Sequence, residues 1–128
     1  MTKSAIATNN APAAIGPYSQ GMRTGNLIFT AGQIPLDPAT QQVVEGGIAE
    51  QTTRVLENLK AVLEAGGSSL DRVVKANVYL TSLDNFAGMN DVYGKYFSTQ
   101  SPPPARTTIE ISRLPRNVLI EIEFVAEV

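Results

Sequence analysis

The residue best placed to do chemistry is Arg106, which follows Pro102-Pro103-Pro104-Ala105. A rigid proline run leads into an extended segment, and a planar guanidinium there suits two-pronged recognition of a carboxylate. Glu121 lies downstream in Ile120-Glu121-Ile122-Glu123 and has the chemistry to orient or deprotonate a water molecule. Tyr18 sits in Ile15-Gly16-Pro17-Tyr18-Ser19-Gln20, where Gly and Pro impose a turn that can present the phenol. Gly32, in Thr30-Ala31-Gly32-Gln33-Ile34-Pro35, lets a ligand approach the backbone closely. Asn90 offers a side-chain amide from a helix. Each residue also has a plainer reading. Arg106 can form a cross-strand ion pair with Glu123, and Glu121 can be a solvated strand residue. Tyr18 can pack at a surface or interface, Gly32 can simply turn the chain, and the Asn90 amide can face solvent or bind backbone.

The missing residue types narrow the chemistry further. The 128 residues include no Cys, no His and no Trp. That removes thiolate nucleophiles, disulfides, zinc–thiolate sites, Ser-His-Asp triads and imidazole bases. Carboxylates do not cluster at metal-ligand spacing, and Gly66-Gly67 lacks the pattern of a phosphate loop. No metal and no cofactor are therefore expected. The charge is −2, from 10 basic and 12 acidic residues, without a basic stripe. This counts against nucleic-acid binding. Apolar residues form 43% of the chain, yet no apolar run approaches membrane-spanning length. Residues 1–10 lack a signal-peptide pattern. One domain over 1–128, without a membrane partner and located in the cytoplasm, is the expectation.

Two helices are readable. Between Ile48 and Ala65, Ile48, Val55, Leu56, Leu59, Val62 and Leu63 make an apolar stripe that ends at Gly66-Gly67. A second helix starts after Ser82, with Phe86, Met89, Tyr93 and Phe97 on one face. Strands are expected at Ser4–Ala7, Ser19–Arg23, Leu27–Ala31, Val74–Leu80, Arg106–Ile111 and Val118–Ala126. The last two flank the loop 112–117 and read as a hairpin. An antiparallel register centred on that loop puts Thr108 opposite Glu121 and Arg106 opposite Glu123. Arg106 and Glu121 then share a polar face. Two helices suffice to cover one face of such a sheet. The other face, with Leu119 and Val125 among polar residues, suggests a subunit interface with sites between copies.

Taken in order, several segments resemble the RidA family, also called YjgF/YER-type and, in older usage, L-PSP endoribonucleases. They are Asn10-Ala11-Pro12-Ala13-Ala14-Ile15-Gly16-Pro17-Tyr18, Gly32-Gln33-Ile34-Pro35, Asn90-Asp91-Val92-Tyr93, Pro104-Ala105-Arg106 and Ile120-Glu121-Ile122-Glu123. The resemblance implies a chorismate-mutase-like (YjgF-like) α+β fold, with a mixed sheet and two helices packed on one face. It also implies a homotrimer with clefts between subunits. The implied activity is 2-iminobutanoate/2-iminopropanoate deamination, on imine and enamine carboxylates released by pyridoxal-phosphate enzymes. By the same resemblance Arg106 matches the carboxylate-binding arginine and Glu121 the glutamate of the hydrolytic water. Tyr18, Gly32 and Asn90 match other pocket positions. Many members carry Ser where this chain has Ala31, and Cys where it has Thr108. Thr108 keeps a hydroxyl; Ala31 loses one.

The chemistry so implied is water addition to an imine carbon. Arg106 fixes the carboxylate and Glu121 the water, with Tyr18 completing the catalytic set. Backbone near Gly32 and around Thr107 and Thr108 holds the nitrogen and the developing hydroxyl. A module that binds 2-oxo acids without turnover remains the alternative, kept open by Ala31. Ribonuclease activity is disfavoured by the charge and the lack of His.

Overall fold

The computed structural model describes residues 2–97 and 102–128. Strand β1 (Lys3–Ile6) leads to the hairpin β2 (Gly21–Thr24) and β3 (Leu27–Thr30). Helix α1 (Ile48–Ala65) follows, then β4 (Val73–Leu80), helix α2 (Phe86–Phe97), β5 (Ala105–Glu110) and β6 (Ile120–Glu127). The six strands form one mixed sheet in the order β1-β2-β3-β6-β4-β5.

The apolar stripes do what their spacing predicts. Val55, Leu56, Leu59, Val62 and Leu63 of α1 are completely buried, and Met89, Tyr93 and Phe97 anchor α2. They meet Ile120, Ile122, Phe124 and Ala126 from alternate positions of β6, with Ala76, Val78 and Leu80 from β4. Phe97 stacks edge-on against Phe124, with ring centroids 5.8 Å apart. Glu50 reaches back to accept from the Gly47 N–H (2.8 Å), tying off the first turn of α1. Ser82 caps the start of the second helical segment by accepting from the Asp84 N–H, as its type suggests. A 3-10 turn, Leu83–Asn85, intervenes before α2.

The expected hairpin between the last two strands does not form. β5 pairs in parallel with β4, and β6 inserts between β3 and β4, antiparallel to both. Two physical reasons explain this. The β4–α2–β5 connection runs through a helix, and such a crossover returns the chain parallel to where it started. In addition, β6 carries a fully apolar inward face and gains most from the centre of the sheet. The inward face of β5 carries Arg106, Thr108 and Glu110, which suits an edge where the helical cover runs out. The connection over residues 111–119 crosses the end of β4. It is pinned where Arg116 donates to the Gln41 carbonyl (2.8 Å) and to Gln42 Oε1 (3.3 Å).

The register also overturns the shared face expected for Arg106 and Glu121. Arg106 pairs with Ala76, which pairs with Phe124, so it lies on the helix-covered side. Glu121 pairs with Tyr79, which pairs with Ile109, so it lies on the open side. Phe29 (45% exposed) and Ile109 (43% exposed) share that open side with Val125, Lys75, Asn77, Thr107 and Glu123.

Because Ile122 sits at the centre of this packing, Ile122→Ala is expected to lower unfolding free energy by about 2–5 kcal/mol. A denaturant titration reads this as a lower midpoint at unchanged slope.

Candidate functional site

The candidate residues gather into two clusters, each a candidate half-site. The first lies where β5 meets α2. Arg106 is half-buried, and its Nη1 donates to Asn90 Oδ1 at 2.8 Å. The guanidinium carbon stands 4.7 Å from the Tyr93 ring centroid and 5.6 Å from that of Phe86. Asn90 is its one hydrogen-bond partner among the described residues. The expected alternative, an ion pair with Glu123, is absent: Glu123 instead accepts from Tyr79 Oη (3.1 Å) and Asn77 Nδ2 (3.4 Å) on the opposite face. Thr108 shares the inward face with Arg106, and its Oγ1 is buried without a partner among the described residues. Thr107 points the other way, where its Oγ1 accepts from Lys75 Nζ (2.8 Å). Only the backbone of Thr107 can therefore serve a ligand on the Arg106 side.

The second half-site lies where the chain leaves β3. Gln33 and Ile122 exchange backbone hydrogen bonds (2.9 and 3.2 Å), which fastens residues 31–33 against β6. Ala31 N donates to the Gln20 carbonyl (2.9 Å) from the other side. This clamp brings Gly32 against the Glu121 carboxylate. A Cβ at position 32 would overlap Glu121 Oε2 and lie 2.8 Å from its Cδ. The absence of a Cβ at Gly32 lets the Glu121 side chain, rather than a ligand, lie close against the backbone here. Burial is the main cause of a raised Glu121 pKa, and the charge of Glu123 adds to it. Tyr18 is 54% exposed, carried by a turn in which Gly16 takes φ +123°. Tyr18 and Gly32 line one cleft of about 280 Å³, with Gln33, Ile34, Leu36 and Arg116 among its walls.

The two half-sites do not meet within one chain. Arg106 and Glu121 are two strands and three register positions apart, so their Cα atoms are separated by roughly 14 Å at ordinary sheet spacings. They also point to opposite faces. A molecule the size of a four-carbon imino acid cannot touch both.

Three contributors escaped the sequence reading. Tyr79 joins Glu121 and Glu123 on the open face, and its phenol pKa is raised by burial and by their charges. Its outward position in the alternation of β4 was the available signal. Phe86 and Tyr93 read only as core residues, although their spacing with Asn90 placed all three on one side of α2.

The family model described as Endoribonuclease L-PSP matches residues 8–128. The chain belongs to this family. It is 56% identical to a RutC family protein of Pyrococcus abyssi over 126 residues, which cover 98% of each chain. Solved relatives share the fold and include RidA and YjgF proteins. RidA from the Antarctic bacterium Psychrobacter sp. is 42% identical, with a TM-score of 0.92 over 98% of this chain and 99% of that one. E. coli TdcF, solved with bound serine, is 39% identical, with a TM-score of 0.92 over 98% of each chain. Among the described residues no helix is long and apolar enough to cross a membrane.

Two outcomes follow from Glu121. Gly32→Ala is expected to displace the Glu121 carboxylate while the protein still folds, read by circular dichroism beside a loss of the pH-dependent stability cost of that carboxylate. The raised pKa also means that ionised Glu121 costs stability, a cost absent below the ordinary glutamate pKa of about 4.3 and fully present once pH exceeds the raised value. Glu121→Gln should therefore raise Tm at neutral pH, and the gain should vanish as pH falls through that window.

Proposed function

We propose that the chain hydrolyses small 2-imino acids, such as 2-iminopropanoate and 2-iminobutanoate, to 2-oxo acids and ammonia. The observation that carries this reading is Arg106. It is a half-buried guanidinium held by Asn90 and two aromatic rings, with no carboxylate partner among the described residues. A positive group desolvated in this way is a receptor for an anion from outside the chain. The serine bound by TdcF carries the same carboxylate beside an α-nitrogen, which supports a substrate of this class.

The proposed site forms between copies of the chain in a homotrimer. Arg106, Asn90 and Thr108 come from one subunit, and Tyr18, Gly32 and Glu121 from the next. The support is geometric: the two half-sites carry complementary chemistry yet cannot reach one small molecule within a chain. The open sheet face, with exposed Phe29 and Ile109, is the apolar surface such an assembly would cover.

In the proposed reaction Arg106 pairs with the substrate carboxylate and orients the imine carbon. Glu121 takes a proton from the attacking water as the C–O bond forms. Its raised pKa favours this role, because burial makes the carboxylate a stronger base. The proton passes to nitrogen; the carbinolamine then collapses, its hydroxyl returning a proton to Glu121 as the C=O bond forms and the C–N bond breaks to release ammonia. The Gly32 N–H, for which no backbone partner is seen among the described residues, and the Thr108 hydroxyl are suited to holding the developing hydroxyl and nitrogen. Since imines already hydrolyse in water, modest rate enhancement suffices.

Ala31 favours a second reading, binding of 2-oxo acids without turnover, because it lacks a hydroxyl beside Gly32. Oxo-acid binding by a protein that leaves imine hydrolysis at its uncatalysed rate would support that reading instead.

Mixing inactive variants tests both the roles and the shared site. Arg106→Ala and Glu121→Gln are each expected to lose most deaminase activity, read as 2-oxo acid release from a dehydratase-coupled assay. Refolded together in equal amounts, they should recover about a quarter of wild-type activity, since random assembly leaves one interface in four with both residues intact. No recovery in properly assembled mixtures would count against sites between subunits.

A further inference from the structure

Arg106 is held in an unusually complete way. Phe86, Asn90 and Tyr93 are spaced four and three residues apart along α2, so one side of the helix meets β5. The Phe86 and Tyr93 rings lie 5.6 Å and 4.7 Å from the guanidinium carbon, while Asn90 Oδ1 occupies Nη1. The edge formed by Nε and Nη2 has no partner among the described residues.

We propose that Phe86 and Tyr93 are positioning residues, which fix the guanidinium before substrate arrives so that it presents its free Nε–Nη2 edge to the incoming carboxylate. This rests on the carboxylate role proposed for Arg106. A free arginine side chain loses several rotamers when it binds, which weakens affinity. Contact with the two rings moves that loss into folding. The rings also attract the cation through their π faces without neutralising it, as a carboxylate partner would. The guanidinium thus stays charged, partly desolvated and ready to pair.

The ring of Tyr93, rather than its hydroxyl, is the working part. Tyr93 Oη is buried without a partner among the described residues, and burial pushes its pKa up to about 12. The phenol therefore stays protonated and is not a proton carrier near neutral pH.

The test measures the Kd of 2-oxobutanoate by calorimetry, and kcat and KM for imine hydrolysis, on the assembled protein. Phe86→Leu and Tyr93→Leu are expected to weaken oxo-acid binding and raise KM by roughly 2- to 30-fold, with kcat much less affected. Tyr93→Phe, which restores the ring, should restore affinity. In an Arg106→Ala background, Phe86→Leu should cost nothing further, because the group it positions is gone. Phe86 is 39% exposed, so its replacement tests the idea even if Tyr93→Leu fails to fold.

Unchanged Kd and KM in Phe86→Leu, with clear weakening in Arg106→Ala, would overturn the positioning role and leave the carboxylate role standing. A full additional loss in the double variant would also overturn it, since the effect would then not pass through Arg106. An Arg106→Ala protein that binds 2-oxobutanoate normally would remove the carboxylate role and this inference together.

Discussion

The structure depends on the central placement of β6. Its inward residues Ile120, Ile122, Phe124 and Ala126 bury against both helices, which fixes the direction of every outward side chain on the strand. A slip of one residue would move Glu121 and Glu123 into an apolar core, where an unpaired carboxylate is strongly disfavoured. The hydrophobic core thereby specifies where the carboxylates stand. Ile122 also exchanges two backbone hydrogen bonds with Gln33, so the strand that carries Glu121 aligns Gly32 against it. Packing and site geometry come from the same few residues.

Much of this was legible in the sequence. The three-and-four spacing in α1 and the alternation along β6 match the observed elements and buried faces; in β4 the alternation holds from Lys75 onward, while a bulge near the strand start buries Val73 and leaves Val74 40% exposed. Arg106, Asn90 and Thr108 come together in one half-site, and Tyr18, Gly32 and Glu121 in the other. The hairpin expectation rested on the short loop between β5 and β6, and loop length does not decide which strands are neighbours. Periodicity states which residues share a face of one strand; it does not state which strands are neighbours. The α2 crossover contained that information, since a helix between two strands predicts their parallel pairing. The misplaced neighbour then reversed the face assigned to Arg106.

The two-faced arrangement has an electrostatic consequence. On the open face, burial raises the Glu121 pKa and the nearby charge of Glu123 adds to it. The neighbouring Glu123 carboxylate instead accepts hydrogen bonds from Tyr79 and Asn77. Two similar carboxylates on one strand face thus have different surroundings. On the helix side, Arg106 is kept from carboxylates and surrounded by rings and an amide. The sheet itself separates the two opposite charges, which would quench each other if β5 and β6 were paired as a hairpin.

That separation makes sense of an edge position for β5. An arginine in the middle of the sheet would be buried and would require a fixed carboxylate partner. At the edge it remains half-exposed, held by the Asn90 amide and two aromatic rings, while its charge stays available to a ligand. The same edge leaves Thr108 with a hydroxyl that nothing in the described chain satisfies. A buried hydroxyl without a partner and a cation without a counter-ion, two residues apart on one strand face, are each unfavourable alone. Both deficits would be met together by the small carboxylate proposed as the substrate, with a polar group beside its carboxylate. The fold tolerates the deficits because α1, β4 and β6 supply the stability elsewhere, and on the proposed function that incomplete edge is where the substrate would bind.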